Sequence, residues 1–316
     1  MRVALALLLL INAPALAQES YPSRLVEMVV PFAPGGGTDI IARVVAERLS
    51  ESLRQRFLII NRPGAATNIG TAAVVNAPPD GHTLLMTSIS LAANPSLYRK
   101  LPFDPQKDLA PIALIGNTAS ILVINPSLPV NSASELIAYL KAHPGEVNYA
   151  SYGAGSGPHL AAGLFQDITG TKIQHVPYGG GSPATIAVLR GEVQMLLAGI
   201  LAVGPLVQSG GLKPLGIAAA SRTPALPDLP TFREQGIDYL NGTWFGLLAP
   251  AKTPTAIIEK LNREVNAALR SNAVRTRLAE QGADVVGGSP EDFAKFLRDE
   301  TARLAAVIKR ANIQLD

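Results

Sequence analysis

The chain has 316 residues, with 27 Lys and Arg against 24 Asp and Glu, four His, no Cys and 47% apolar residues. At ~150 residues per domain that length suggests about two domains with ample core, and a charged fraction of 16% excludes wholesale disorder. The lack of cysteine excludes disulfide scaffolds, zinc ribbons, iron–sulfur clusters and thiol nucleophiles, and a net charge of +3 spread over scattered Lys and Arg argues against a nucleic-acid partner.

Residues 1–17 read as a secretory signal peptide. Arg2 supplies the early positive charge, residues 3–11 an apolar stretch, and Ala15-Leu16-Ala17 the cleavage site. A bilayer span takes ~20 apolar residues, so this stretch is too short for a permanent anchor. No Cys follows to carry a lipid. The later apolar run at 195–207 is also too short and holds Gly199, Gly204 and Pro205. The mature chain is therefore expected to be soluble outside the cytoplasm.

Beyond the leader, strands and helices alternate. Residues 25–32 read as a buried strand, and 39–53 carry Ile41, Val44, Val45, Leu49 and Leu53 at helical spacing. Phe57–Asn61 reads as a strand closed by the turn Asn61-Arg62-Pro63-Gly64, 71–76 as a short helix, and 83–87 as a third strand. This β-α-β-α-β run implies a parallel sheet with helices on its faces. Residues 112–115 and 121–124 read as two further strands. Ser132-Ala133-Ser134-Glu135 is a capping box opening a helix to His143, which Pro144-Gly145 stops. Strands at 147–151, 173–176, 193–197 and 215–219, with helices at 159–169 and 183–190, make a second β/α set. A proline-rich surface loop follows at 223–230, then a strand at 244–248. Helices at 254–270 and 273–281 and a last helix from Ser289-Pro290 complete the chain. These helices have no strands of their own, so they are expected to return to the first sheet. The chain would then cross between two lobes twice, near 121–125 and near 243–248. The expected lobes are 22–121 with 245–316, and 122–244.

Three Gly-rich loops each sit between a strand and a helix: Pro31 to Asp39, Ser151 to His159, and Val176 to Pro183. In open α/β sheets ligands bind at the carboxyl ends of strands. Glycine lets the backbone approach a ligand, and a helix N-terminus offers unpaired N–H donors and the positive end of a dipole. Two such ends facing across a cleft suit an anion, above all a dicarboxylate. The nucleotide motifs are missing: Gly35-Gly36-Gly37 is followed three residues on by Ile40, and no phosphate-loop Lys occurs. A serine-hydrolase elbow is nearly matched around Ser182 and not around Ser156. His82, His143, His159 and His175 lack metal-ligand spacing, so no metal and no cofactor is expected.

Several side chains have two readings. Asp39 is a helix cap folded back on loop donors or an acceptor for a ligand hydroxyl. His159 donates to an anion or ties loops together. Tyr152 and Tyr178 wall the cleft and donate hydroxyls or are half-buried strand ends. Ser88 follows the third strand and points toward the cleft on this reading. Arg62 in its turn is read as structural, and Trp244 as hinge packing.

The segments Pro31 to Asp39, Asn61-Arg62-Pro63-Gly64-Ala65, Asn68-Ile69-Gly70, Pro79-Asp80-Gly81, Val176-Pro177-Tyr178, Gly246 to Pro250 and Gln281-Gly282-Ala283 occur in this order. Together they make the chain resemble the tripartite tricarboxylate transporter receptors, the Bordetella-uptake-gene periplasmic solute-binding proteins, over essentially the whole mature length. The resemblance implies an α/β fold of the type II periplasmic-binding-protein kind, with two β/α lobes joined by two crossing strands around a ligand cleft. It implies a small mono- or dicarboxylate held by backbone donors and ordered water. Carried over, the first loop gives Phe32, Ala33, Gly35, Gly36, Gly37, Thr38 and Asp39. The second gives Tyr152, Gly153, Ala154, Gly155, Ser156 and His159, and Ser88, Tyr178 and Gly179 complete the set. It also implies membrane carrier subunits as partners, a monomeric receptor and no enzymatic activity. The alternatives are a ligand-sensing partner of a signalling system, and a serine esterase using Ser156 or Ser182 with His159 or His175. Many relatives have an acidic residue after the segment matching Gly191-Glu192-Val193. Here the stretch is Gln194-Met195-Leu196-Leu197-Ala198-Gly199, which argues against an amino-acid ligand.

Overall fold

A computed structural model of the chain describes residues 21–280, 282–310 and 313. The expected leader at 1–17 and Gln281, the expected end of one helix, lie outside the described residues. The first β/α run comprises β1 (Val26–Val30), α1 (Gly37–Leu53), β2 (Phe57–Asn61), α2 (Asn68–Val75), β3 (Thr83–Ser88) and α3 (Ser90–Leu97). A long strand follows, β4 (Leu109–Ile124), then α4 (Ala133–Ala142). The second run comprises β5 (Asn148–Ser151), α5 (Gly157–Thr169), β6 (Gln174–Pro177), α6 (Gly181–Leu189), β7 (Met195–Gly199), α7 (Ile200–Gln208) and β8 (Lys213–Ile217). The chain ends with β9 (Gly242–Pro250), α8 (Thr255–Arg270), α9 (Asn272–Ala279), β10 (Asp284–Val285) and α10 (Pro290–Arg310).

Strands pair in the order β2-β1-β3-β9-β4-β7-β5-β6, with β8 and β10 also on β4. The β1–β2, β1–β3, β5–β6 and β5–β7 pairs are parallel, so helices must cover both faces. Alternation along each strand does this sorting. Met28, Leu84 and Leu247 face one way onto α1 and α8, while Val29, Leu85 and Leu248 face the other way onto α3 and α10. In the second run Leu122, Met195 and Leu197 pack with α4 and α5, and Val123, Leu196 and Ala198 with α6 and α7. Phe165, Phe232 and Tyr239 meet edge to face beneath that sheet.

Two differences from the sequence reading bear on the site. The expected strands at 112–115 and 121–124 are one strand, β4. It pairs with β9 from Leu109 to Ala119, then with β7 and β8 from Ser120 onward. Gly116 and Asn117 interrupt its apolar pattern because β10 docks there. The change of partner falls at 118–121, and the return passes Asn241, whose carbonyl accepts from Ser120 N–H at 3.0 Å. Both lie a few residues before the crossings expected from sequence. Helix α7 was also hidden, since Gly204 and Pro205 sit within it.

Trp244 is packed edge to face on Phe293 and Phe296 of α10, the packing role read for it from sequence. Between Trp244 and Leu248, Gly246 leaves room for the Phe293 ring, which a methyl group there would strike. Gly246→Ala is therefore expected to destabilise the protein by about 1–3 kcal/mol through overpacking. Urea unfolding reads this directly, and an unchanged midpoint would mean that Phe293 swings aside freely.

Candidate functional site

The carboxyl ends of β1, β3, β5, β6 and β7 deliver the chain to one cleft. Its deeper cavity encloses about 600 Å³ of atom-free space, its mouth included. The first run contributes Phe32, Gly36, Gly37, Thr38 and Ser88, and the second contributes Tyr152, Gly157, Pro158, Gly181, Leu197, Ala198, Gly199, Leu201 and Ala202. Thr118, Ser120, Gly242, Thr243 and Phe245 come from the crossing strands β4 and β9. No Asp, Glu, Lys, Arg or His is in this lining.

The start of a helix is in the lining four times: α1 at Gly36-Gly37, α5 at Gly157, α6 at Gly181 and α7 at Gly199. The first-turn amides of a helix have no intrahelical acceptor. None of these four helices has a side-chain cap, and neither do α2, α3 and α8, whereas α4 and α9 are capped by Ser132 and Ser271. Three of the four N-cap residues are Gly, and Ser156 turns its hydroxyl to Gly153 O at 2.6 Å. The cavity therefore collects positive dipole ends and exposed N–H donors without a cationic side chain.

Phe32 and Tyr152 also border a second cavity of about 690 Å³ nearer the surface. It takes in Gly153, Ala154, Ser156, Tyr178 and Gly179 from the predicted set, and Gly64 to Thr67 and Ser90 besides. Eleven of the sixteen predicted residues thus line one of the two cavities. The other five sit behind or beside them. Ala33 lies against Gly180, and Gly35 faces Ser182, so the first loop closes on the third.

Asp39 accepts from Gly35 N (3.0 Å), Arg43 Nε (2.8 Å), Arg43 Nη2 (3.1 Å) and Asn61 Nδ2 (2.9 Å). Burial raises its pKa, but the bonds from Arg43, Gly35 and Asn61 outweigh that and hold it below the usual carboxylate value. Its oxygens are committed to the loop. Gly155 donates to His159 Nδ1 at 2.9 Å, and the His159 ring stacks on His175 at 4.1 Å. His175 Nε2 is 2.6 Å from Ser151 Oγ. Among the described residues the Ser–His hydrogen bond at this site therefore involves Ser151, which is fully buried, and not Ser156 or Ser182.

Sequence reading missed the crossing-strand residues Thr118, Ser120, Gly242, Thr243 and Phe245, the helix-start residues Gly157, Pro158 and Gly181, and the wall formed by Leu197, Ala198, Gly199, Leu201 and Ala202. The signal for the wall was present: a glycine, Gly199, stands where a strand gives way to a helix, as glycines stand between strand and helix in the three Gly-rich loops. No metal-binding cluster occurs among the described residues, and none of their helices is long and apolar enough to cross a membrane.

Burial, then the neighbouring His175, lowers the His159 pKa from 6.5 to about 4. The unfolded chain therefore binds a proton that the folded one refuses between those two values. The stabilisation is complete above about pH 6.5 and is lost as the pH falls through the window. Between pH 7 and 4.5 this group is expected to cost about 2 kcal/mol. His159→Asn keeps an acceptor for Gly155 and should lose less. Melts of both proteins at the two pH values test this, and parallel slopes would refute it.

The family model described as the tripartite tricarboxylate transporter family receptor matches residues 41–313. Protein BugT of Bordetella pertussis is 40% identical over 308 residues, covering 96% of this chain and 94% of its own. A solved structure of R. palustris Rpa4515 with adipate superposes with a TM-score of 0.91 at 38% identity, over 93% of this chain and 100% of that one. The periplasmic binding protein BugD superposes with a TM-score of 0.90 at 30% identity, over 93% and 100%. The α/β fold is the one these solute-binding proteins share.

Proposed function

The chain belongs to the tripartite tricarboxylate transporter receptor family, a family of periplasmic solute-binding receptors and not of enzymes, and from that membership we propose that it captures a small carboxylate in the deeper cavity. The observation that carries the reading is the convergence of four uncapped helix N-termini on a cleft without charged side chains. A carboxylate placed there accepts first-turn N–H bonds from both sides. The surrounding apolar wall of Phe32, Leu197, Leu201 and Phe245 excludes water and strengthens each bond. No acid stands at Leu197 to Gly199 to hold an ammonium group, which favours a plain mono- or dicarboxylate over an amino acid. The adipate bound to the Rpa4515 relative is of that class.

In this reading residues 22–121 with 245–316 form one lobe, 122–244 the other, and β4 and β9 the hinge. Each lobe supplies part of the donor set, so the ligand stabilises the closed arrangement over an open one. Residues 1–17 direct export to the periplasm. The loaded receptor, a monomer, passes its ligand to membrane carrier subunits.

Gly36 tests the site. A methyl group there would stand 3.7 Å from Gly181 Cα, an ordinary contact, but the branched side chain of Val would wedge between the first and third loops. A thermal-shift screen of carboxylic acids should find ligands that raise the wild-type melting temperature, as binding to the folded state alone requires. Gly36→Val is expected to abolish that rise while its own ligand-free melting temperature stays within a few degrees. Unchanged affinity in Gly36→Val would refute the site, and a screen in which only neutral solutes stabilise would refute the carboxylate.

A further inference from the structure

Helices α8 and α9 and the loop from β10 to α10 enclose a groove of about 1460 Å³, its mouth included, that shares no lining residue with either cavity of the cleft. Three arginines line it: Arg263 and Arg270, on one face of α8, and Arg275 of α9. All three are exposed, and among the described residues none of them pairs with a carboxylate. Glu264 shares the lining without forming an ion pair with any of them. By contrast Arg277, also on α9, holds Glu47 at 2.8 Å. Local helix electrostatics accounts for Arg270 alone, which sits in the last turn of α8 at the negative end of its dipole. Arg263 is in the middle of α8, and Arg275 lies within about a turn of the start of α9, where a cation is disfavoured.

The far wall of the groove is fixed in place. Asn266 accepts from Gly288 N at 3.0 Å and donates to Gly288 O at 3.0 Å, and Asn262 donates to the same carbonyl at 2.9 Å. Beside that wall Val286 leaves 48% of its surface exposed. The connection from α9 to β10 reaches the strand crossing, since Gly282 accepts from Thr118 Oγ1 at 2.8 Å and stands against Ile200 of α7.

We propose that this groove docks an acidic segment of a partner protein. Three like charges without a carboxylate of their own are answered by Asp or Glu side chains of the partner, and Val286 meets an apolar residue between them. The concave shape suits a protein segment that enters it, whereas a membrane surface is a plane. A partner held there rests on a connection that itself touches the strand crossing. The inference is independent of what the cleft holds.

The test is fluorescence anisotropy on the intact protein with a labelled, Glu-rich peptide of about 12 residues carrying one Leu, against the same peptide with Gln for Glu. The acidic peptide should bind at least about ten-fold tighter than its Gln counterpart, and lose that margin between about 50 and 500 mM salt. Arg263→Glu combined with Arg275→Glu should abolish the margin, and the corresponding pair of Gln substitutions should remove most of it. Val286→Asp should also weaken the acidic peptide. Lys141→Glu combined with Lys172→Glu, an equal change of net charge at exposed residues elsewhere, should leave the margin intact. None of these variants should alter the rise in melting temperature that carboxylic acids produce. Equal losses in the Lys and Arg pairs, or no margin in the wild type, would overturn the proposal. Arginine-dependent binding of phosphatidylglycerol vesicles, or of inorganic phosphate, without arginine-dependent binding of the peptide would overturn the protein partner in favour of a membrane surface or a small anion.

Discussion

Everything at this site depends on helices that begin without a side-chain cap. A helix leaves its first N–H groups unpaired, and a protein usually satisfies them with a Ser, Thr, Asp or Asn side chain. Here α4 and α9 follow that practice through Ser132 and Ser271. The four that begin at the deeper cavity do not, nor do α2, α3 and α8, but three of those four start from Gly. The donors are therefore left for whatever enters. Pro158 and Pro183 sharpen the point, since each removes one amide near the start of α5 or α6 and leaves fewer, better-defined donors. The positive potential is built from fixed dipoles, so it needs no mobile side chain to be ordered on binding.

The strands decide that these helix starts meet. Parallel pairing within each run sends successive carboxyl ends to the same edge. Strand β4 then ties the two runs together by pairing with β9 along one half and with β7 and β8 along the other. The junction is crowded. A methyl group on Gly199 would meet Thr118 Cγ2 at 2.7 Å, and one on Gly242 would meet Thr118 O at the same distance. These glycines let two runs approach across a strand crossing, and the same approach leaves Thr118, Gly199 and Gly242 in the cavity wall. Thr118 Oγ1 is already engaged, donating to Gly282 O at 2.8 Å.

The layered α/β pattern was legible because each strand and helix carries its own periodicity. The three Gly-rich loops were legible because a glycine cluster between a strand and a helix has one preferred place in such a fold. What sequence could not give was direction within a loop. Gly36, Gly37 and Thr38 line the cavity while Gly35 and Asp39, their neighbours, face away, and the pattern of residue types does not separate them. The crossing-strand residues were invisible for another reason. Thr118 and Thr243 face the site because of how β4 and β9 pair with each other, a long-range fact without a local trace. Helix α7 was hidden by Pro205, which the surrounding packing tolerates against its propensity.

The charged and titratable residues of the loops then have a coherent place. The proposed anion site, built on dipoles, would be weakened by any carboxylate facing it, yet the first loop needs an anchor for its turn. Asp39 provides the anchor with both oxygens turned toward Gly35, Arg43 and Asn61, so that its charge is answered locally and kept out of the cavity. His159 does the same work in the second loop as a neutral acceptor for Gly155. A neutral imidazole adds no charge beside the cleft, and burial against His175 keeps it neutral across the range in which a free histidine would titrate. The two loops use different chemistry for one purpose. Each holds its glycines still from behind, so that at Gly36, Gly37 and Gly153 the cavity wall is backbone.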